Sequence, residues 1–391
     1  MAKPKPNLYQ VTGINMKKIM VTVAASILVC SIISAQSLKL VNTFGGDSDS
    51  TGGSDLFTYD NLKDENGKYK DDYSNKTRVS DRLQLDVSDE KFDARLRTEI
   101  AATKLNGKES TIRFRGYGRF KPVDQFNLIA GNEFFTKVPV NAGYLIASDD
   151  YPKYARILQN GFGAISNWKL ADDGSMKISF AGGLKGTDSS LNDKDKRGLD
   201  FGFNLDVRDL VSLGGSFQNA TGNQLSAAAF VGLKAIENLT LNAGYIYNCT
   251  DTDFISKSAK NAISLSAGYD FTDMGLFLGA DIVSGISNEY LDNGDTKKYQ
   301  KNDSDLIPFQ TKIRISYKLD ESVEVGAKAK VSMMVGDSDS RKTEIYPNIA
   351  YKLSNNFGTI STGVRVTMDS SDIATISIPL TWKCTLADIK K

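Results

Sequence analysis

Arginine recurs at alternate positions in two neighbouring stretches of the chain. FDARLRTEI carries Arg95 and Arg97, and TIRFRGYGRF carries Arg113, Arg115 and Arg119. Arg82 stands just upstream in RLQLDV. A period of two puts such residues on one face of a β-strand. Leu83, Leu85, Leu96, Ile112 and Phe114 take the other face. A row of guanidiniums can bind and steer anions, because each is a fixed, always-charged fork of donors. It can equally pair with Asp86, Asp93 and Glu99 and fill a polar interior. The residues leave both open. A second basic strip, Lys312, Arg314, Lys318, Lys328, Lys330 and Arg365, follows the same period and would favour anions.

Other chemistries find no residues to carry them. The 391-residue chain has no His, which removes Ser–His and Cys–His catalysis and His-based metal sites. Cys30, Cys249 and Cys384 are scattered, with no CxxC spacing. An enzyme is therefore not expected, although an Asp-only site stays open. Neither a cofactor nor a metal is expected. Acidic runs such as DSDSTGGSD could hold Ca²⁺ at the surface but lack EF-hand spacing, and read better as solvated loops. Lys and Arg number 48 against 47 Asp and Glu, so no overall field points to nucleic acid.

The charged faces need strands to present them, and strands dominate the chain. In LTLNAGYIYN the residues Leu239, Leu241, Ala243, Tyr245 and Tyr247 alternate with Thr240, Asn242 and Gly244, with Ile246 the exception. LDFGFNLDV, LFLGADIV, KIRISYKL, VEVGAKAKV and TISTGVRVTM repeat the pattern. No helical period appears after residue 36. Polar turns stand at 88–91, 121–124, 171–175, 208–210, 236–238, 272–275, 320–322 and 354–358. Between them come mostly longer polar linkers at 46–76, 134–160, 185–196, 249–259, 285–306 and 336–342, with short ones at 101–109 and 220–223.

A short–long rhythm of connections predicts an all-β fold: a transmembrane antiparallel β-barrel of about 16–18 strands. Short turns would be periplasmic and long loops extracellular. The apolar faces would touch outer-membrane lipid, and the polar faces a water-filled lumen. A soluble sandwich or β-helix is the alternative. Mean hydropathy, −0.29, does not argue against a barrel, since half of each strand faces away from lipid.

The first part of the chain reads as an address. MKKIMVTVAASILVCSIISAQS, from Met16, has a basic start, an apolar run and a small-residue cut before Gln36. The expected organisation is an extra segment at 1–15, a signal peptide at 16–35, a barrel at 36–383 and a short tail at 384–391. A membrane anchor helix is the other reading of the apolar run. A lipoprotein site at Cys30 would need a smaller residue than Val29.

QSLKLVNTFGG directly after the leader, and the Gly/aromatic pieces RGYGRF, FGFN, AGYIY and AGYDF, resemble bacterial outer-membrane porins. Leader and size also resemble the variable surface proteins of intestinal spirochaetes (Brachyspira). The porin resemblance implies a channel for passive diffusion of small hydrophilic solutes, and a homotrimer. It also implies a third loop, 134–160, folded into the barrel. Asp149 and Asp150 on that loop would face Arg82, Arg95, Arg97, Arg113, Arg115 and Arg119 across a constriction. The spirochaete resemblance implies a surface antigen or adhesin on a plugged barrel, touching host surfaces or antibodies through its outer loops. The sequence departs from porins at its end, where Trp382 is followed by KCTLADIKK instead of closing on an aromatic.

Overall fold

A computed structural model describes residues 37–45, 54–60, 79–102, 110–131, 136–137, 156–157, 161–185, 198–220, 224–247, 257–287, 289–292, 300–301, 306–354, 357–370 and 372–390. The chain forms a closed antiparallel barrel of eighteen staves. The staves begin with β1 (Ser37–Phe44), β2 (Val79–Ser88), β3 (Phe92–Ala102), β4 (Ser110–Val123) and β5 (Phe126–Gly131). β6 (Gly161–Lys169), β7 (Met176–Lys185), β8 (Gly198–Val207), β9 (Val211–Ala220), β10 (Gln224–Leu233) and β11 (Leu239–Tyr247) follow. The wall continues through β12 (Asn261–Phe271), β13 (Leu276–Gly285), β14 (Ile307–Lys318), β15 (Val323–Val335) and β16 (Asp337–Lys352). β17 is broken into Thr359–Gly363 and Arg365–Asp369, and β18 (Asp372–Lys390) is the last stave.

Each stave pairs with the next in sequence, and β18 closes the ring on β1 from Ser37↔Lys390 to Phe44↔Trp382. Closure gives every stave a neighbour on both sides. A further strand, Ser54–Asp60, continues stave one along the upper half of β18, from Ser54↔Leu380 to Asp60↔Thr375. It runs past Gly45, whose φ of +93 lets the chain leave the wall where a side chain would strike the Leu380 carbonyl.

The eight short turns all join staves at one end, the end that also holds Ser37 and Lys390. Two expectations need correction. Residues 384–390 are not a tail. They are the lower half of β18 and supply most of the pairing to β1. The polar run 336–342 is not a loop. β15 and β16 are joined at Gly336, φ +99, and Lys342 already pairs with Ser332. The run is held by Ser340, whose Oγ accepts from the Met334 N–H at 2.8 Å, by the Ser370 N–H donating to the Arg341 carbonyl, and by Lys342 facing Asp369. A further connection, at Ser370, joins β17 to β18 with φ +58 and no glycine.

The wall is inverted relative to a water-soluble protein. On the concave face side chains converge and cover one another, and that face is polar or small. Asp200, Asn204, Ser212, Ser264, Ser266 and Asp281 are buried there. On the convex face side chains splay apart, and that face is apolar. Leu199, Phe201, Phe203, Ile263, Leu265, Ile313 and Ile315 are all exposed on it. Soluble monomers rarely expose apolar patches beyond a few hundred Å². Here an apolar surface extends round the wall.

Candidate pore lining

The inward face divides into two halves. From β5 to β13 the staves contain no Arg, and their only Lys residues, Lys169, Lys177 and Lys185, lie at stave ends. Their inward side chains are small or neutral, with Asp200, Asp206, Asp270 and Asp281 interspersed. From β14 through the β18–β1 closure to β4, Arg and Lys stand in mid-stave. Both basic strips inferred from sequence thus belong to one side of the barrel, and closure places them as neighbouring arcs.

The first arc is zipped by opposite charge. Register sets Arg82 opposite Glu99, Asp86 opposite Arg95, Gln84 opposite Arg97 and Asp93 opposite Arg119. Arg82 reaches Glu99 at 3.7 Å and Arg95 Nε donates to Asp86 at 2.5 Å. Arg119 Nε donates to both Asp93 oxygens at 2.9 and 2.8 Å, and Lys121 Nζ lies 2.9 Å from the same carboxylate. Arg97 Nε donates to Gln84 Oε1 at 2.6 Å. Arg95 also lies over the Tyr117 ring at 5.8 Å, which fixes its plane. Arg115, opposite Arg97, is the one like-charge contact in this register. Arg113 pairs with Glu99 along the backbone, and its side chain is outside the described residues. Arg82, Arg95 and Arg119 thus pair with Glu99, Asp86 and Asp93.

The second arc is built differently. Lys312 stands opposite Lys330 and Arg314 opposite Lys328. Arg314 reaches Glu324 at 3.3 Å and lies over Phe277 at 5.5 Å. Arg365 lies 3.7 Å from Glu344 and 5.1 Å over the Tyr346 ring. Lys318 faces Glu324 across the same ladder. The bordering carboxylates, Asp281, Glu324 and Glu344, are fewer than the cations they border. Sequence reading named the cations but not these carboxylates or the two ring supports. The hairpin turn at 319–322 was the available signal, since it fixes every cross-strand pair between β14 and β15.

Higher on the wall, an apolar rung runs from β10 to β15 across the inward face through Ala228, Ile246, Ala262, Gly285, Pro308 and Met334. Ile246 is 1% exposed and Met334 4%. Part of the cover is Ala259, itself buried, whose Cβ would lie 3.3 Å from a Cβ on Gly285. Its strand, Lys257–Ala259, pairs with Glu289–Asp292, and Lys260 Nζ meets Glu289 at 2.8 Å. The Glu289 hydrogen bond holds the Lys260 ammonium above its ordinary pKa. Asp149, Asp150 and most of loop 134–160 lie outside the described residues, as do Cys30 and Cys249. Among the described residues there is no acidic or thiol cluster that could hold a metal.

No known family's sequence profile matches the chain, and no curated protein matches it. Among solved structures, one described as "Asymmetric conductivity of engineered proteins" is similar at TM-score 0.46 and 10% identity, over 88% of this chain and 99% of that one. A triple mutant of the Rhodopseudomonas blastica porin is similar at TM-score 0.46 and 12% identity, again over 88% and 99%. The barrel here is established by its own closed ladder and not by these likenesses.

Proposed function

We propose that this protein is an outer-membrane channel for passive diffusion of small hydrophilic solutes. One observation carries the reading: a closed eighteen-stave wall with its apolar side chains outward and its charged and polar side chains inward. Only a closed barrel satisfies every strand's backbone groups in lipid. At about eighteen strands such a wall leaves room for water. The arginine-bearing arc lines one side of the lumen with guanidiniums held by carboxylates and rings, so the passage has one charged and one neutral side. Charged rings of this kind select permeant ions. In this reading 16–35 is the export signal, and loop 134–160, with Asp149 and Asp150, narrows the passage opposite the arginines.

A second reading has its own observation. Ile246, Val283 and Pro308 face inward yet are almost fully buried, so protein covers the wall at that height. A barrel plugged there would serve to display its outer connections, as a surface antigen or adhesin does.

Planar-bilayer recording on the refolded protein tests both. Discrete, stable conductance steps are expected for the channel. A folded, inserted protein that gives no steps would leave the plugged barrel.

A further inference from the structure

Inward positions of a water-filled barrel call for polar side chains, and Ile246 breaks that rule in the structure as it breaks the alternation in the sequence. It does not stand alone. Ala262, Gly285, Pro308 and Met334 share its rung near the upper ends of β12 to β15, and Val283 stands on the rung below. Ile246, Ala262, Val283 and Pro308 are each at most 2% exposed. An apolar patch this dry inside a lumen is covered by protein. Gly285 shows from which side. A Cβ on it would point into the lumen, where it would lie 3.3 Å from the Ala259 Cβ and 3.1 Å from Pro308 Cδ. Ala259 therefore sits inside the wall. Its strand, Lys257–Ala259, pairs with Glu289–Asp292, which in turn pairs with Gln300–Lys301. Two neighbouring connections, β11–β12 and β13–β14, thus share one small sheet. The sheet is clamped at its base. The Lys260 N–H donates to the Glu289 carbonyl at 3.0 Å, the Ile286 N–H donates to the Asn261 carbonyl at 3.0 Å, and Lys260 Nζ meets the Glu289 carboxylate at 2.8 Å.

We propose that this small sheet is a fixed ledge inside the outer mouth, and that it sets the size limit for solutes there. The inference rests on the channel reading and adds to it an element other than loop 134–160. Eighteen strands ~4.8 Å apart make a ring on the order of 27 Å across before tilt widens it. One sheet layer takes up ~10 Å. A layer on the β11–β14 side narrows the mouth without sealing it. Staves β3 and β4 stand opposite β12 and β13, nine staves round the ring, so solutes pass on the side of the first basic arc. The ledge stays docked because leaving the wall would expose Ile246, Val283 and Met334 to water.

The test uses the refolded full chain in planar bilayers, with polyethylene glycols of rising size to find the largest that enters and lowers conductance. Ala259→Asp puts a carboxylate into the apolar patch and should release the ledge, so that conductance rises and larger polymers enter than in the parent. Two further variants are made in a chain whose three native cysteines are changed to serine. Glu289→Cys, labelled after folding with a bulky maleimide, should shift the limit to smaller polymers, and it guards against a folding defect in the first variant. Ala259→Cys/Gly285→Cys should form a disulfide when an oxidant is added, since 3.3 Å is close to the usual Cβ···Cβ range. Its oxidised and reduced channels should conduct alike. A parent size limit in either of the first two proteins, once folded, would overturn the ledge and leave the channel standing. So would failure of the disulfide to form, or a conductance that rises when it is reduced. Absence of channels from the folded parent would sink the channel reading itself, and the disulfide yield would then still decide whether the sheet docks inside the wall.

Discussion

Two hairpins of one wall carry similar charge and brace it in different ways. β2–β4 sets most of its arginines against acceptors, and the result is a cross-braced, largely self-neutralised plate. β14–β15 sets cation against cation on its own ladder, and the flanking staves bring Asp281 opposite Lys312 and Glu344 opposite Lys330. The number of basic residues does not distinguish them; register does. A cation whose cross-strand neighbour is a carboxylate is part of the wall. In the second hairpin the carboxylates come from the flanking staves β13 and β16 and from Glu324 near the turn. The charged rows seen in the sequence are thus braced within their own staves in one arc and from the flanking staves in the other.

The sharpest way to break this comparison is to remove one cation from each arc and follow unfolding of the folded barrel in urea. Arg119→Ala leaves Asp93, whose side chain is 10% exposed, with Lys121 alone. A loss of roughly 1–3 kcal/mol is expected, the cost of leaving a buried acceptor short of donors. Lys330→Glu should cost less. It makes the Lys312 pair attractive but sets a carboxylate opposite Glu344, so the two effects should offset to within ~1 kcal/mol. If both changes destabilise equally, the distinction between the arcs fails. In a salt gradient, Lys330→Glu should also move the reversal potential toward cation preference, whereas Arg82→Gln should move it less, because Arg82 already faces Glu99.

The smallest expected effect lies outside both arcs, in the turn joining β6 to β7. The Ser175 backbone N–H donates to Asp173 at 2.9 Å and holds that carboxyl below its ordinary pKa, helped by the Ser175 side chain and by Arg208. A lowered folded pKa means stability present above the unfolded value and lost as pH falls through the folded one. Asp173→Asn should flatten a slight acid-side decline in stability, read as the urea midpoint against pH. A change as large as that of Arg119→Ala would show that the turn, rather than the braced plate, governs acid sensitivity.

Much of this was legible in the chain, and particular residues show why. Leu239 to Tyr247 announces a strand through a period of two, which is a local property. Turns such as 171–175 and 272–275 announce themselves through Asp and Gly, and Gly174 and Gly275 do adopt positive φ. Ser370 adopts the same conformation with no glycine beside it, and its turn was missed despite Asp369 and Asp372 on either side. The run 336–342 misled because polar residues read as loop when their pairing partners are not considered. Residues 384–390 misled because their partner, β1, lies at the other end of the sequence.

Composition and alternation by themselves determined that the chain is all-β, that its strands have one greasy and one polar face, and where most turns fall. These follow from side-chain period and turn chemistry within about ten residues. Only the tertiary structure decided that eighteen staves close, that Lys390 reaches Ser37, and that both basic strips share one half of the wall. It also decided that Arg119 is spoken for by Asp93. Charge identity is written in the chain, but whether a charge is satisfied depends on its neighbour across the ladder, and closure and register assign that neighbour.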